Sequence, residues 1–236
     1  SNDIKSYVKA TYGKEQGLLY SSEASARAMV EEWKSTIAQE GDTYDERITI
    51  TPQPQSSITI MDQATGEIKA LVGGRGEKAS SLGLNRAYQG SKRQPGSTFK
   101  ILAAYAPALD SCDKTLATTI DDEPYTLKSG QVLRNADKQY RGSTTIRQAI
   151  TNSINVVAVK LSDEITQELG YEYCQKFGIS TLVKNKTING QVFDDSKSQT
   201  LALGGITEGV YNYEMCAAYA AIANGGVYNK PTLYSK

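Results

Sequence analysis

No histidine occurs anywhere in the 236 residues. The commonest general base of enzyme sites is therefore missing, and any serine chemistry in this chain has to draw its base from lysine. Cysteine is scarce. Cys112, Cys174 and Cys216 are odd in number, far apart and without C-x-x-C spacing, which excludes a disulfide framework or a zinc knuckle as the organising principle. Each reads as a small buried apolar residue. Charge of one sign is also lacking. Lysine and arginine (26) balance aspartate and glutamate (26), so no global field favours nucleic acid, and no nucleic-acid partner is expected. No apolar run approaches the roughly 18–20 residues needed to span a membrane, and no signal peptide leads the chain. The expectation is then either a cytosolic protein or the soluble piece of something longer, and the opening Ser1-Asn2, without methionine, points to a cut piece.

What is present is enough apolar sequence, 39%, to bury a substantial core. Residues 1–55 are polar and weakly patterned. Within them Ser22 to Gln39 reads as an amphipathic helix, with Ala26, Met29, Val30, Trp33 and Ile37 at helical spacing and Ser22 as its cap. Residues 49–55, with prolines at 52 and 54, read as an extended linker. From Ser57 the pattern changes. Ser57 to Met61 and Glu67 to Val72 are β-rich runs joined by Asp62-Gln63-Ala64-Thr65-Gly66, a hairpin. Residues 75–96 read as irregular, and 110–142 as a turn-rich surface excursion. Helical patterning starts at Ser97 and runs to Leu109, with Pro107 as a kink or early stop. A second helix, capped by Ser143 or Thr144, runs through Ile150, is interrupted by Ser153-Ile154-Asn155, and resumes from Val156 to Leu161. Asn212 to Asn224 is a last helix, stopped by Gly225-Gly226. Helices and a small antiparallel sheet in separate blocks predict an α+β fold.

The chemistry is carried by Arg93-Gln94-Pro95-Gly96-Ser97-Thr98-Phe99-Lys100. A helix starting near Ser97 would set Ser97 and Lys100 on one face, three residues apart. The helix N-terminus favours negative charge near the serine. An apolar surrounding would lower the lysine pKa so that its neutral amine takes the serine proton. The letters alone are weak, because Ser6 with Lys9 and Ser111 with Lys114 match them too. An ordinary N-cap at Ser97 with a solvated Lys100 is the plain alternative. Ser153-x-Asn155 lies where one helical pattern breaks and another begins. A loop there could present a hydroxyl that relays a proton and an amide that orients a carbonyl. Its plain alternative is a helix connection in which either residue caps the next helix.

Taken together, Ser97-Thr98-Phe99-Lys100 and Ser153-Ile154-Asn155 resemble the first two motifs of the penicillin-recognising serine enzymes. The flanks extend the match. Met61-Asp62-x-x-Thr65-Gly66-Glu67-Ile68-x-Ala70-x-Val72-Gly73-Gly74 and Asn85-Arg86-Ala87 come before the octet. Leu201-Ala202-Leu203-Gly204-Gly205, Gly209-Val210, Glu214-Met215 and Asn224-Gly225-Gly226 come after it. In this order the blocks are similar to the transpeptidase domain of bifunctional, class A penicillin-binding proteins, over residues 56–236. Residues 1–55 then correspond to the region joining that domain to a glycosyltransferase domain in the full-length protein.

The resemblance implies an antiparallel sheet with a helical cluster and D,D-transpeptidation of peptidoglycan stem peptides ending in D-Ala-D-Ala. Ser97 would be the nucleophile, Lys100 its base, Ser153 the proton shuttle to the leaving amine, and Asn155 the holder of the substrate amide. β-Lactams would acylate Ser97, and no metal or organic cofactor is called for. The implied location is the extracytoplasmic face of a bacterial cell membrane. The family's third motif, Lys-Thr/Ser-Gly on an edge strand, departs from this order. Lys128-Ser129-Gly130 has the letters but precedes Ser153 and reads as a surface turn. The strand carrying that motif, with the rest of the sheet, is expected on a further C-terminal segment or separate chain. The rivals are a serine β-lactamase or β-lactam sensor of the same fold, and a penicillin-binding-like module without turnover. The Glu-x-x-x-Asn setting of a class A β-lactamase is absent between Leu161 and Lys236.

Overall fold

A computed structural model of the chain describes residues 2–12, 20, 22–43, 48, 54–76, 83–88 and 90–234. The linker expected at 49–55 lies largely outside them. Residues 1–55 with 77–83 form one compact unit, and 56–76 with 84–236 form another.

The first unit contains helices α1 (Asn2–Tyr12) and α2 (Glu23–Ile37). α2 starts as its sequence predicts: the Ser22 hydroxyl accepts from Ser25 N, and the Ser25 side chain accepts from Ser22 N. The two helices meet through Tyr7 and Tyr12, whose hydroxyls donate to Glu32 Oε1 at 3.1 and 2.8 Å. The weak apolar pattern of α1 gave no warning of a helix.

The second unit opens with strands β1 (Ile58–Met61) and β2 (Ile68–Val72), an antiparallel hairpin around the 62–66 turn. After it the chain makes a tight 3₁₀ turn (Gly96–Thr98), a π-helical stretch (Ile101–Tyr105) and helix α3 (Ala106–Ser111). This composite helix is the centre of the core. Phe99, Leu102, Ala103, Ala104 and Ala108 are fully buried and Tyr105 nearly so, as expected for a helix apolar on every side.

The predicted proline kink takes a specific form. Pro107 has no N–H to give the Ala103 carbonyl, and in regular α geometry its ring would strike that carbonyl. Widening to π geometry, with Ala106 N bonded to Ile101 O, avoids the clash. A Cβ on Gly170 would lie 2.2 Å from Ala103 O, so the helix carrying Gly170 can approach this point only through a glycine.

Residues 110–142 correct the expected surface excursion. They include β3 (Thr119–Asp122), β4 (Tyr125–Thr126) and β5 (Val132–Leu133), and β3 pairs antiparallel with β6 (Gly142–Thr145). Asp122, Leu127, Leu133 and Asn135 are buried. The strands are too short, and too broken by polar turn residues, for a period-2 pattern to register. Lys128-Ser129-Gly130 lies in the exposed β4–β5 turn, as its order in the sequence implied.

Helices α4 (Ile146–Thr151) and α5 (Asn155–Ile165) fall on either side of the predicted break. The cap of α4 is Thr145 rather than Ser143 or Thr144, in a capping box with Gln148. Helix α6 (Gln167–Lys176) and the hairpin β7 (Lys186–Ile188) with β8 (Gln191–Phe193) were not foreseen. Helix α7 (Asn212–Ala223) ends as expected, at left-handed Gly225 and Gly226. It packs on β1, with Thr59 Oγ1 donating to Asn212 Oδ1 at 2.6 Å. Among the described residues the strands pair as four two-stranded antiparallel sheets beside a helical cluster, an α+β arrangement. Cys174 is fully buried, whereas Cys112 and Cys216 are only half-buried, and all three are free.

Candidate active site

The α4–α5 junction shows why Ser153 is where it is. Ile154 N donates to Ala149 O at 2.9 Å and Ser153 N to Ile150 O at 3.2 Å, the two crossed bonds of a Schellman ending. Ser153 occupies the left-handed position of that motif, with φ +51°. Glycine is the usual occupant, and a side chain there costs about 1 kcal/mol. The turn aims the Ser153 carbonyl and hydroxyl at one point, where both meet the amine of Lys100.

Lys100 is 2% exposed and sits among apolar core residues. Its Nζ lies 2.6 Å from Ser153 O, 3.1 Å from Ser153 Oγ and 2.7 Å from Asn155 Oδ1. All three partners are neutral oxygens, and burial lowers the amine from its ordinary 10.5 to about 8. At pH 7 roughly a tenth of such amines are neutral, against about one in three thousand for an ordinary lysine. The geometry suits the neutral form. Its two N–H groups satisfy the Ser153 and Asn155 carbonyl oxygens, which can only accept, and its lone pair faces a hydroxyl that can donate.

The first turn of α5 has no local cap. Asn135, twenty residues upstream, takes that part: its Oδ1 accepts from Asn155 N at 3.0 Å and Val156 N at 3.2 Å. Its Nδ2 donates to both oxygens of the fully buried Asp122, at 2.8 and 3.0 Å, and to Gln139 O at 2.8 Å. Asn155 Nδ2 donates to Arg134 O at 2.9 Å, leaving one N–H for an outside acceptor. Sequence reasoning missed Asn135 and Asp122, since a polar pair inside a turn-rich stretch carries no periodic mark.

Ser97 stands apart. It lies in the 3₁₀ turn and is exposed, and its hydroxyl makes no hydrogen bond to the protein among the described residues. The cap position of the turn belongs to Pro95, so Ser97 is not a helix cap, and Lys100 is not solvated. Both plain readings of the octet fail. No hydrogen bond joins the Lys100 amine to the Ser97 hydroxyl, which the spacing set on one face: the amine is drawn to the three oxygens at the head of α5. The turn itself is pressed onto the loop after the Leu201-Ala202-Leu203 block. A Cβ on Gly204, at φ +73°, would lie 2.4 Å from Gly96 O and 2.6 Å from Gly96 N, so this contact admits only glycine. Among the described residues no cluster of three or more metal-binding side chains occurs, and no helix is long and apolar enough to cross a membrane.

The site thus joins a buried lysine, three residues after an exposed serine, to a Ser-x-Asn loop, and comparison with known proteins gives the family. Residues 56–236 match the family model described as Penicillin binding protein transpeptidase domain. Penicillin-binding protein 1A of Clostridium acetobutylicum is 38% identical over 194 residues, covering 78% of this chain and 23% of that protein. Penicillin-binding protein 1A/1B of Bacillus subtilis is 29% identical over 81% of this chain and 19% of its own length. The crystal structure of penicillin-binding protein 1A from Haemophilus influenzae superposes with a TM-score of 0.62 at 30% identity, over 75% of this chain and 25% of that one. The PonA1 protein from Mycobacterium tuberculosis, solved in complex with penicillin V, gives 0.62 at 18% identity over 98% of this chain and 59% of that one, a likeness of fold alone. The chain belongs to the penicillin-binding protein transpeptidase domain family. It spans about a quarter of the curated relatives it matches.

Proposed function

We propose that this chain carries the acyl-transfer centre of a D,D-transpeptidase that cross-links peptidoglycan stem peptides. The observation that carries the reading is the buried Lys100 amine, bonded to Ser153 and Asn155 behind an exposed, unpartnered Ser97 hydroxyl. Ser97 Oγ attacks the carbonyl between two terminal D-alanines, and its proton passes to the neutral Lys100 amine. Ser153 Oγ–H protonates the departing D-alanine nitrogen and is refilled from Lys100. The C–N bond breaks, leaving an ester on Ser97. The amine of a second stem peptide then attacks that ester and its proton returns by the same relay. The new amide forms the cross-link and Ser97 Oγ–H is restored.

The free N–H of Asn155 orients the donor peptide. The Ser97 N–H, at the start of a turn where no intrahelical acceptor is available, supplies one donor to the developing oxyanion. A Lys-Thr/Ser-Gly segment elsewhere in the protein supplies the second donor and the carboxylate anchor. Residues 1–55 serve as the joining region to a glycosyltransferase domain, on the extracytoplasmic side of the cell membrane. β-Lactams acylate Ser97 as substrate mimics.

The test is labelling of the complete gene product with a fluorescent penicillin, followed by peptide mapping. A single adduct on Ser97, lost in Ser97→Ala, is the expected result. An adduct on another residue, or labelling that survives Ser97→Ala, refutes the reading.

A further inference from the structure

Two side chains hold the Ser97 turn, Gln94 from within the octet and Tyr219 from α7. The backbone just before it makes one antiparallel bridge, Arg93 N to Val210 O at 3.0 Å and Val210 N to Arg93 O at 2.9 Å. The next residue cannot continue that ladder, because the chain must turn at Pro95-Gly96. The Gln94 side chain continues it instead. A carboxamide has the donor and acceptor of a peptide unit, and this one bonds residue 206 at both: Nε2 donates to Ile206 O at 2.5 Å and Oε1 accepts from Ile206 N at 3.0 Å. On the other side Tyr219, from α7, donates its hydroxyl to Thr98 O at 2.6 Å. Ser97 lies between these attachments, while the buried Phe99 and Lys100 anchor the helix that follows.

We infer that Gln94 and Tyr219 are positioning residues that hold Ser97 in its attacking geometry, neither touching the reacting atoms. The inference rests on Ser97 being the nucleophile. The two attachments do for the exposed nucleophile what the hydrogen bonds of Lys100 do for the base. A turn free to swing by an ångström would lose much of the advantage of a fixed attack distance.

Tyr219→Phe removes one oxygen and no packing, and Gln94→Met keeps length while losing both bonds. Each variant is made in the complete gene product and treated with penicillin. The acylation step is separated from non-covalent binding by its saturation kinetics. The first-order acylation step should fall about fivefold in Tyr219→Phe and about thirtyfold in Gln94→Met, as expected for loss of one and two hydrogen bonds. The final labelled fraction and the pH at half-maximal rate should be unchanged. A merely structural role would lower the labelled fraction and leave the step itself alone. A step within twofold of wild type in both variants overturns the inference.

Amide hydrogen exchange of Ser97–Phe99 in the unacylated protein gives a second reading, faster in both variants if the clamp is real and unaltered if it is not. Failure of the wild type to acylate at Ser97 would remove the proposed function, while the exchange rates would still decide whether the clamp exists.

Discussion

The head of α5 and the Ser97 turn, the two parts of the proposed acyl-transfer centre, are built in opposite ways. At the head of α5 the polar groups are buried and mutually satisfied: Lys100 bonds Ser153 and Asn155, Asn135 bonds the first two N–H groups of the helix, and Asp122 bonds Asn135. At the Ser97 turn the backbone is held, and the serine hydroxyl has no hydrogen bond to the protein among the described residues. The contrast matches what the proposed roles would require. A base with a lowered pKa needs burial and fixed neighbours, whereas a nucleophile needs an unoccupied lone pair and room for substrate.

The sharpest way to break the contrast is to remove the base and leave its cavity filled. Lys100→Met should lower penicillin acylation at least about a thousandfold, and Lys100→Arg should not restore it, since a guanidinium does not deprotonate. Stopped-flow acylation rates decide this, and partial rescue by arginine would count against a neutral base.

Next in size is Ser153→Gly, which separates stability from function. Removing the hydroxyl should slow acylation by about a hundredfold. Placing glycine at φ +51° should raise unfolding stability by about 0.5–1 kcal/mol in denaturant titration. A variant both slower and less stable would mean that the left-handed turn carries no strain.

Asn135→Leu tests the buried network by leaving two helix N–H groups unpaired and Asp122 with Arg141 alone. A stability loss of about 2–3 kcal/mol is expected, with the acylated fraction falling alongside. No loss would mean that water takes over the role of Asn135.

The smallest effect is expected at the surface. Lys186 and Lys92 both bond Glu208 and hold its carboxyl down to about 2. The depressed pKa makes this contribution complete above the ordinary carboxylate range and lost as pH falls through about 2. At neutral pH Glu208→Gln should cost less than about 1 kcal/mol and leave acylation alone, because partly exposed pairs contribute little. A large change in rate would put this cluster inside the site.

Much of this arrangement is legible in the sequence. The Pro95-Gly96 break before Ser97, the apolar run after Lys100 and the interruption at Ser153 are local patterns, and local patterns survive into the fold. The ordered flanking blocks gave the family. Asn135 and Asp122 were not legible, because their role is set by contacts to residues 13 to 21 positions away, with β6 and α4 between Asn135 and the head of α5. Gln94 stands in the octet, but its pairing with Ile206 across 112 residues leaves no local mark. That the Lys100 amine bonds Ser153 and Asn155 rather than the Ser97 hydroxyl has a related reason. A spacing of three residues fixes which face a side chain leaves from, and long-range acceptors decide where its end goes. The short strands between 119 and 145 escaped because two to four residues are too few for alternation to be visible.

The central claim is that a buried, neutral Lys100 activates Ser97, and the pH dependence of Ser97 acylation tests it most directly. The amine must be unprotonated to accept a proton, so the rate should rise about tenfold per pH unit below about 8 and level off above it, with the rise abolished in Lys100→Met. A rate that stays constant from pH 6 to 9, or that falls as pH rises, would contradict the account.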